Sequence, residues 1–394
     1  MNILNLPYFA GGLSHLLPLY VLHHKYIKHQ AGINNYFLVN NNWQRLLTVQ
    51  GLDCVPIDYF GDEALQLLSN NHIEAASYAI EKQQEAYDKV KPALIIEDTV
   101  FIAPLIAEKN DVPRISIQRT GIFRSIDERY RNNTHVHSLQ KGDGFDRSAF
   151  FSNNSAAGVN TFDEEDALYL EKYTEPKAKI IPGIPTIERL PEDIANRDSY
   201  FYAGPLIVKD KPSKNLTDRL DEFLMINKQK QIVFITTGTV DKTPIEKYIE
   251  FFVSRNYAVI TTCDCEINNV YPKSIFYNKL LPLHHICKIS NLVVHQCGSG
   301  MYHYPIMNRA PFLTLGTQCF DREDIAQRLQ ELGVSGHIPH PDDDPDHWQI
   351  FVDLVARFEN NTLTDYDMMD KLRKEINETM ANFNMEEVIR YALS

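Results

Sequence analysis

The sequence predicts an α/β protein built from two doubly wound, Rossmann-like domains facing a cleft. Two observations carry that expectation. A short apolar strand that runs through a glycine turn into a helix and then a second strand occurs at the start of the chain and again in its second half. The chain is also 394 residues long, enough for two domains of ordinary size, each with its own core. An apolar fraction of 44% and a charged fraction of 23% are those of a folded globular protein.

In the first half, Asn2-Ile3-Leu4-Asn5-Leu6 is the opening strand and Gly11-Gly12 the turn. Leu16, Leu17, Leu19, Tyr20, Leu22 and His23 then fall at helical spacing, and the pattern runs on to His29 and Gly32. Further strands are predicted over 36–39, 53–57, 93–97 and 114–117, with a long polar helix over 62–90. Residues 125–160 are polar, Asn-rich and without periodicity, the composition of a loop or short helical insert that shapes a pocket. The segment 182–214, rich in Pro, Asp and Lys, reads as the crossover, and the second unit begins after Pro212. There, strands are predicted over 231–235, 257–261, 274–277, 292–294 and 311–315. Helices are expected over 244–254, 325–332, 347–359, 365–382 and 385–393, and Gly298-Ser299-Gly300 opens another. In doubly wound sheets ligands sit at the carboxyl ends of the strands, where both glycine turns lie.

Charge and composition narrow the function classes. Thirty-nine basic against 52 acidic residues leave a net charge of −13, which a nucleic-acid backbone repels. Nucleic-acid binding is therefore not expected. The six cysteines form no metal set: Cys263-x-Cys265 is too tight for the usual zinc spacing and no second pair follows. Asp342-Asp343-Asp344 with His340 and His347 reads as a solvated, helix-capping loop, so no metal site is expected. No apolar run approaches the ~18 residues that span a bilayer. The first twenty residues carry no basic leader, so a cytoplasmic protein with no stable membrane insertion is expected.

The most specific pattern lies in the second half. It reads Leu292-Val293-Val294-His295-Gln296-Cys297-Gly298-Ser299-Gly300, then Ala310-Pro311-Phe312-Leu313, then Phe320-Asp321-Arg322-Glu323-Asp324-Ile325-Ala326 and Leu332-Gly333-Val334. Its first part is a strand entering a glycine turn and a helix start, where bare N–H groups and the positive helix end suit an anionic phosphate. In the first half, the companion features are Gly12-Leu13-Ser14-His15-Leu16-Leu17-Pro18, Pro92-Ala93-Leu94-Ile95-Ile96-Glu97-Asp98, Ala203-Gly204-Pro205-Leu206 and, after the crossover, Phe234-Ile235-Thr236-Thr237-Gly238-Thr239.

In these features and in their order, the chain resembles the nucleotide-sugar glycosyltransferases of the GT-B fold. The likeness is greatest to family 1, the UDP-glycosyltransferase-like enzymes of the bacterial small-molecule type. The resemblance spans nearly the whole chain. It implies an N-terminal acceptor domain over 1–204, a C-terminal donor domain over 205–375 and a last helix, 376–394, packing back on the first domain. It implies an inverting, metal-independent transfer of a sugar from a nucleoside diphosphate, UDP first among them, to a hydroxyl of a small, partly apolar acceptor. No cofactor beyond that nucleotide-sugar donor is implied. A homodimer is compatible with the sequence.

His15 then falls at the turn from first strand to first helix, where a neutral imidazole can take the proton of the acceptor hydroxyl. Asp98, at the end of a neighbouring strand, can hold the other ring N–H and stabilise the cation that forms. A helix cap or solvated strand end is the plain alternative for Asp98, and Glu97 is its rival as partner. Alternation along the strand puts the two side chains on opposite faces, so only one can reach His15. The implied donor contacts are Thr237, Gly238, Thr239, Leu280, Leu283, His295, Gln296, Gly298, Ser299, Gly300, Met301, Asp321 and Arg322, and the implied acceptor contacts are Gly12, Ser14 and Phe123.

Several positions depart from the family pattern. Its phosphate-binding His falls on Gln296, with His295 one before; its Thr is Met301; its ribose-gripping Glu is Tyr304. Leu280 and Leu283 stand where a base-stacking residue and a Gln are usual, and Asp321-Arg322 replaces an Asp-Gln pair. Arg322 suits an acidic donor sugar, a diphosphate clamp or a surface ion pair with Glu323 or Asp324. Two rival readings keep the fold: a nucleotide-sugar epimerase that needs no acceptor, and a non-catalytic nucleotide-sugar-binding protein.

Overall fold

The computed structural model describes residues 1–7, 13–39, 41–57, 72–98, 103–119, 176–190, 194, 196–209, 211–237, 245–298, 300–317 and 320–394. The chain divides into two units. Unit 1 is Met1–Ile207 with Thr379–Ser394, and unit 2 is Val208–Glu378.

In unit 1 the order is β1 (Asn2–Leu6), α1 (Leu13–Leu22), β2 (Asn34–Phe37), α2 (Asn41–Val49), β3 (Asp53–Cys54), α3 (His72–Val90), β4 (Leu94–Asp98), α4 (Ala103–Lys109), β5 (Arg114–Ile117), β6 (Ala178–Ile181) and β7 (Tyr200–Tyr202). These strands form one parallel sheet in the order β3-β2-β1-β4-β5-β6-β7. β1 and β4 are neighbours, with Leu6 opposite Glu97. The chain thus reverses its direction of travel across the sheet between them, and their carboxyl ends form the crevice where such folds place ligands.

Strands such as Leu94–Asp98 and Arg114–Ile117 are buried along their whole length, because helices cover both faces of a parallel sheet. Ile3, Leu4, Ile95, Ile96, Ile115, Ile117 and Ile180 are fully buried and make the core. The last helix, Met385–Leu393, belongs to this unit and is capped by Asn384, whose side chain accepts from the Glu386 and Glu387 amides.

In unit 2 the order is α5 (Lys214–Ile226), β8 (Ile232–Thr236), α6 (Glu246–Ser254), β9 (Ala258–Thr261), α7 (Ile267–Val270), β10 (Ile275–Tyr277), α8 (Leu283–Ile289), β11 (Leu292–His295), α9 (His303–Asn308), β12 (Phe312–Leu315), α10 (Phe320–Glu331), β13 (Ser335–Ile338), α11 (His347–Glu359) and α12 (Tyr366–Asn382), whose last turn is counted with unit 1. The parallel sheet has the order β10-β9-β8-β11-β12-β13, with His295 opposite Thr236. Here the switch point falls between β8 and β11. The core on one face gathers Val233, Ile235, Ile249, Phe252, Val259, Val294, Phe351 and Val355, with Phe351 edge-on to Tyr248 at 4.8 Å.

The structure differs from the sequence expectation in several places; helices α2, α4 and α8 were not expected, and α10 begins at Phe320 where 325 was expected. The first helix ends at Leu22 and gives way to a π-helical turn, His23–Ile27, instead of running on as α-helix. The stretch 182–214, read as a crossover, contains β7, and β6 just precedes it. β6 lacks a clean apolar signature because it carries Lys179, which is buried; its ammonium lies 3.2 Å from Ser199 Oγ and 4.7 Å from the centre of the Tyr200 ring. Helix α5 was not anticipated; Ser213 caps it, accepting from the Leu216 amide. β13 has the polar sequence Ser-Gly-His-Ile, yet all four residues are buried. Gly336 lets Leu354 pack close on this strand; a Cβ there would lie 2.5 Å from Leu354 Cδ2, so that side chain would have to shift. Of the helix expected over 62–90, the described part is α3; residues 58–71 and the segment 125–160 lie outside the described residues. Among the described residues no helix is long and apolar enough to cross a membrane.

Candidate active site

His15 is the third residue of α1, the helix that follows β1, and Asp98 is the last residue of β4, the strand beside β1 at the unit 1 switch point. His15 Nδ1 lies 3.3 Å from Asp98 Oδ1. A carboxylate only accepts, so in a neutral imidazole the ring nitrogen that faces it carries the proton and Nε2 is the basic nitrogen. The distance is at the long end for a hydrogen bond, as is common before a substrate is bound. The Asp98 side chain is fully buried and that of His15 is 26% exposed, so the imidazole is the member of the pair that a ligand can touch.

Glu97 points to the other face. It is fully buried and pairs with Arg114 at 2.6 Å, Arg114 lying two residues before Ser116, the residue opposite Glu97 on β5. The rivalry between the two carboxylates is thereby resolved by strand alternation and by a second cation.

Asp98 has a further partner that the sequence reading missed. Arg119, buried two residues beyond β5, places Nη1 3.3 Å from the same Oδ1 that faces His15. Burial works against the Asp98 charge, but Arg119 and His15 outweigh it and hold the carboxyl below the ordinary carboxylate range. The signal that could have found Arg119 is the strand order, which makes β5 the neighbour of β4.

In unit 2, β8 and β11 end side by side and bring Thr237 to the same end of the sheet as the turn that begins at Gln296. Thr236 Oγ1 meets Thr262 Oγ1 at 2.7 Å and Thr237 Oγ1 meets Cys263 Sγ at 3.2 Å, which ties this end of β8 to that of β9. The Cys297 amide donates to His295 Nδ1 at 2.9 Å, so the neutral ring carries its proton on Nε2. That ring is fully buried and stacked on Phe312 at 5.5 Å, and burial lowers its pKa to about 3. His295 thus supports the turn from beneath; the expectation that it could itself reach a diphosphate is not met by a ring buried inside the fold.

The turn has a specific backbone. Cys297 has φ +53°, a left-handed conformation, at the position where the resembled family has its first glycine. Gly298 is partly exposed, and a Cβ there would meet open space, so its backbone is approachable. The Met301 amide closes the turn onto the Gly298 carbonyl at 2.8 Å, and Gly300 and Met301 are partly exposed beside it. Gln296 is 3% exposed.

Other expected donor residues fall as follows. Leu280 is 61% exposed, and Leu283 opens α8. Tyr304, at the ribose position, is buried, and its hydroxyl donates to the Val208 carbonyl at 2.9 Å. Asp321 and Arg322 are in the first turn of α10. Glu323, offered as an ion-pair partner for Arg322, is engaged elsewhere: it accepts from the Thr317 amide at 2.6 Å and pairs with His337 Nε2 at 2.9 Å. Gly12, Phe123, Gly238, Thr239 and Ser299 lie outside the described residues, as do the side chains of Ser14 and Asp321. Among the described residues no group of three His, Cys, Asp or Glu side chains is placed to hold a metal ion.

No protein-family model matches the chain, and no curated protein matches it. Solved structures do. The glycotransferase of kitacinnamycin is 15% identical, with a TM-score of 0.71 over 100% of this chain and 98% of that one. The spinosyn forosaminyltransferase SpnP is 19% identical, with a TM-score of 0.67 over 100% of both chains. The glycosyltransferase VinC, solved in complex with dTDP, is 15% identical, with a TM-score of 0.61 over 100% of this chain and 99% of that one. Likeness at this level of identity establishes the fold: two Rossmann-like units in the GT-B arrangement of chain and strands.

Proposed function

We propose that this chain is a glycosyltransferase. It moves a sugar from a nucleoside diphosphate to a hydroxyl of a small, partly apolar acceptor, with inversion at the sugar carbon and without a metal ion. The observation that carries the reading is the His15–Asp98 contact at the switch point of unit 1, in which the imidazole is the partly exposed member of the pair. The fold shared with three glycosyltransferases supports it.

In this reading the acceptor hydroxyl gives its proton to His15 Nε2 while its oxygen bonds to the anomeric carbon. The bond from that carbon to the diphosphate oxygen breaks, and the electron pair leaves on the phosphate. Asp98 holds the ring orientation and stabilises the imidazolium, and base catalysis of this kind is worth roughly 10²–10⁴-fold. The leaving charge is met by backbone N–H groups inside the turn, those of Gly298 and Gly300, with Gly238 and Thr239 as further donors. UDP is the expected nucleotide, and dTDP, the ligand of VinC, shares its pyrimidine and diphosphate.

The test is a thermal-shift screen of UDP, dTDP, GDP and ADP, followed by turnover of the matching nucleotide sugars with hydroxylated aromatic and polyketide acceptors. A nucleotide at a hundredfold excess over its dissociation constant should add about 2.7 kcal/mol of stability. His15→Ala should keep that shift and lose turnover. Sugar interconversion without acceptor would make the chain an epimerase, and absence of any nucleotide-dependent shift would end the proposal.

A further inference from the structure

Asp98 meets an imidazole and a guanidinium through one atom. His15 Nδ1 and Arg119 Nη1 each stand 3.3 Å from Asp98 Oδ1, and both Asp98 and Arg119 are buried. The groups that hold the Asp98 carboxyl below the ordinary carboxylate range include Arg119 from the end of β5 and His15 from α1. The nearby Glu97 and Arg114 satisfy each other on the opposite face of the sheet.

Two consequences follow from that sharing. The guanidinium meets the same Oδ1 that faces the imidazole, and so helps to hold that oxygen in place. It also sets a permanent positive charge against the same carboxylate that stabilises the imidazolium, and so limits how strongly Asp98 can draw a proton onto His15. A base that is too easily protonated is useless at neutral pH; a base with no anion behind it is too weak.

We propose that Arg119 is a positioning residue of this site, holding the Asp98 carboxylate toward His15 and offsetting its charge so that the imidazole remains a proton acceptor. The catalytic consequence rests on the reading of His15 as the base, whereas the electrostatic coupling among the three side chains does not.

The experiment is an NMR titration of the His15 ring in the full chain, its signal assigned by its loss in His15→Gln. Arg119→Gln should move the His15 midpoint up by about one pH unit, the size expected when one charge near a buried pair is removed. Arg119→Lys, which keeps the charge, should stay within a few tenths of a unit of the parent. In turnover, the acid limb of kcat/KM should move up with the midpoint in Arg119→Gln, while KM for donor and acceptor on the plateau stays within twofold. If Arg119→Gln does not fold, Arg119→Met, which keeps the length of the side chain and removes the charge, carries the same comparison with the Asp98 carboxylate in place. An unchanged midpoint in either comparison overturns the proposal. So does a tenfold rise in acceptor KM with an unchanged midpoint, which would make Arg119 a substrate-binding cation. A moved midpoint in a chain that transfers no sugar would keep the coupling and sink the glycosyltransferase reading alone.

Discussion

Glu97 and Asp98 are consecutive residues at the end of one strand, both fully buried, and they deliver their charges to opposite faces of the sheet: Glu97 to Arg114 at 2.6 Å, Asp98 to His15 at 3.3 Å. Their neutral amide variants should therefore fail in different ways. Glu97→Gln strands the buried Arg114 charge and should cost about 3–5 kcal/mol of stability, the usual penalty for breaking a buried pair from one side. Its kcat per folded molecule should stay near the parent value. Asp98→Asn should lower kcat by roughly 10²–10⁴-fold with little change in donor KM, since it removes the group behind the base. Urea unfolding alongside steady-state kinetics separates the two, and similar kinetic losses in both variants would contradict the assignment of the dyad.

The turn after β11 offers a second prediction. Cys297 holds φ +53° with its side chain 2% exposed. Cys297→Gly relieves the left-handed strain and loses a small buried side chain, effects of about 1 kcal/mol each in opposite directions. It should therefore unfold within about 1 kcal/mol of the parent. Cys297→Val keeps the bulk but places a β-branched residue where the backbone least tolerates it, and should cost about 2 kcal/mol or more and weaken nucleotide binding. Equal stability of the two variants, read from thermal melts with and without nucleotide, would mean the turn does not require this conformation.

What could be read from the chain and what could not have physical causes. Ile232–Thr236 and Phe312–Leu315 are nearly pure apolar runs in strands buried on both faces, so they announce themselves. β6 and β13 do not, because Lys179 and His337 are buried at a cost that partners such as Ser199, Tyr200, Thr314 and Glu323 offset. Those partners are invisible until the fold brings them near. His15 and Asp98 were legible because each sits at the end of a recognisable strand or turn. Arg119 was not, since its relation to Asp98 depends on which strands are neighbours. Tyr304 was read by position alone, and its bond to Val208 spans 96 residues of sequence.

That bond makes Tyr304 a third test. A phenol held by a backbone carbonyl at 2.9 Å is a structural link, where the resembled family uses a carboxylate on the ribose. Tyr304→Phe should lose about 0.5–1.5 kcal/mol of stability, the net worth of one buried hydrogen bond, and leave donor KM unchanged. A donor KM raised tenfold with unaltered stability would return Tyr304 to the nucleotide site.

The last prediction concerns acid. His295 is fully buried, its Nδ1 takes the Cys297 amide proton, and burial lowers its pKa to about 3. In the unfolded chain a histidine titrates near 6.5, so between about 6.5 and about 3 the unfolded state binds the proton and the folded state does not. The stability tied to this residue is complete above about pH 6.5 and falls as the pH is lowered, by up to about 1.4 kcal/mol per pH unit. His295→Asn keeps an acceptor for the Cys297 amide and removes the titration. Urea unfolding at pH 7, 6 and 5 should show a shallower loss of stability in the variant than in the parent, whatever the variant's own stability at pH 7. Parallel slopes would mean that the imidazole reaches a proton without unfolding, and that the turn it supports opens in the native state.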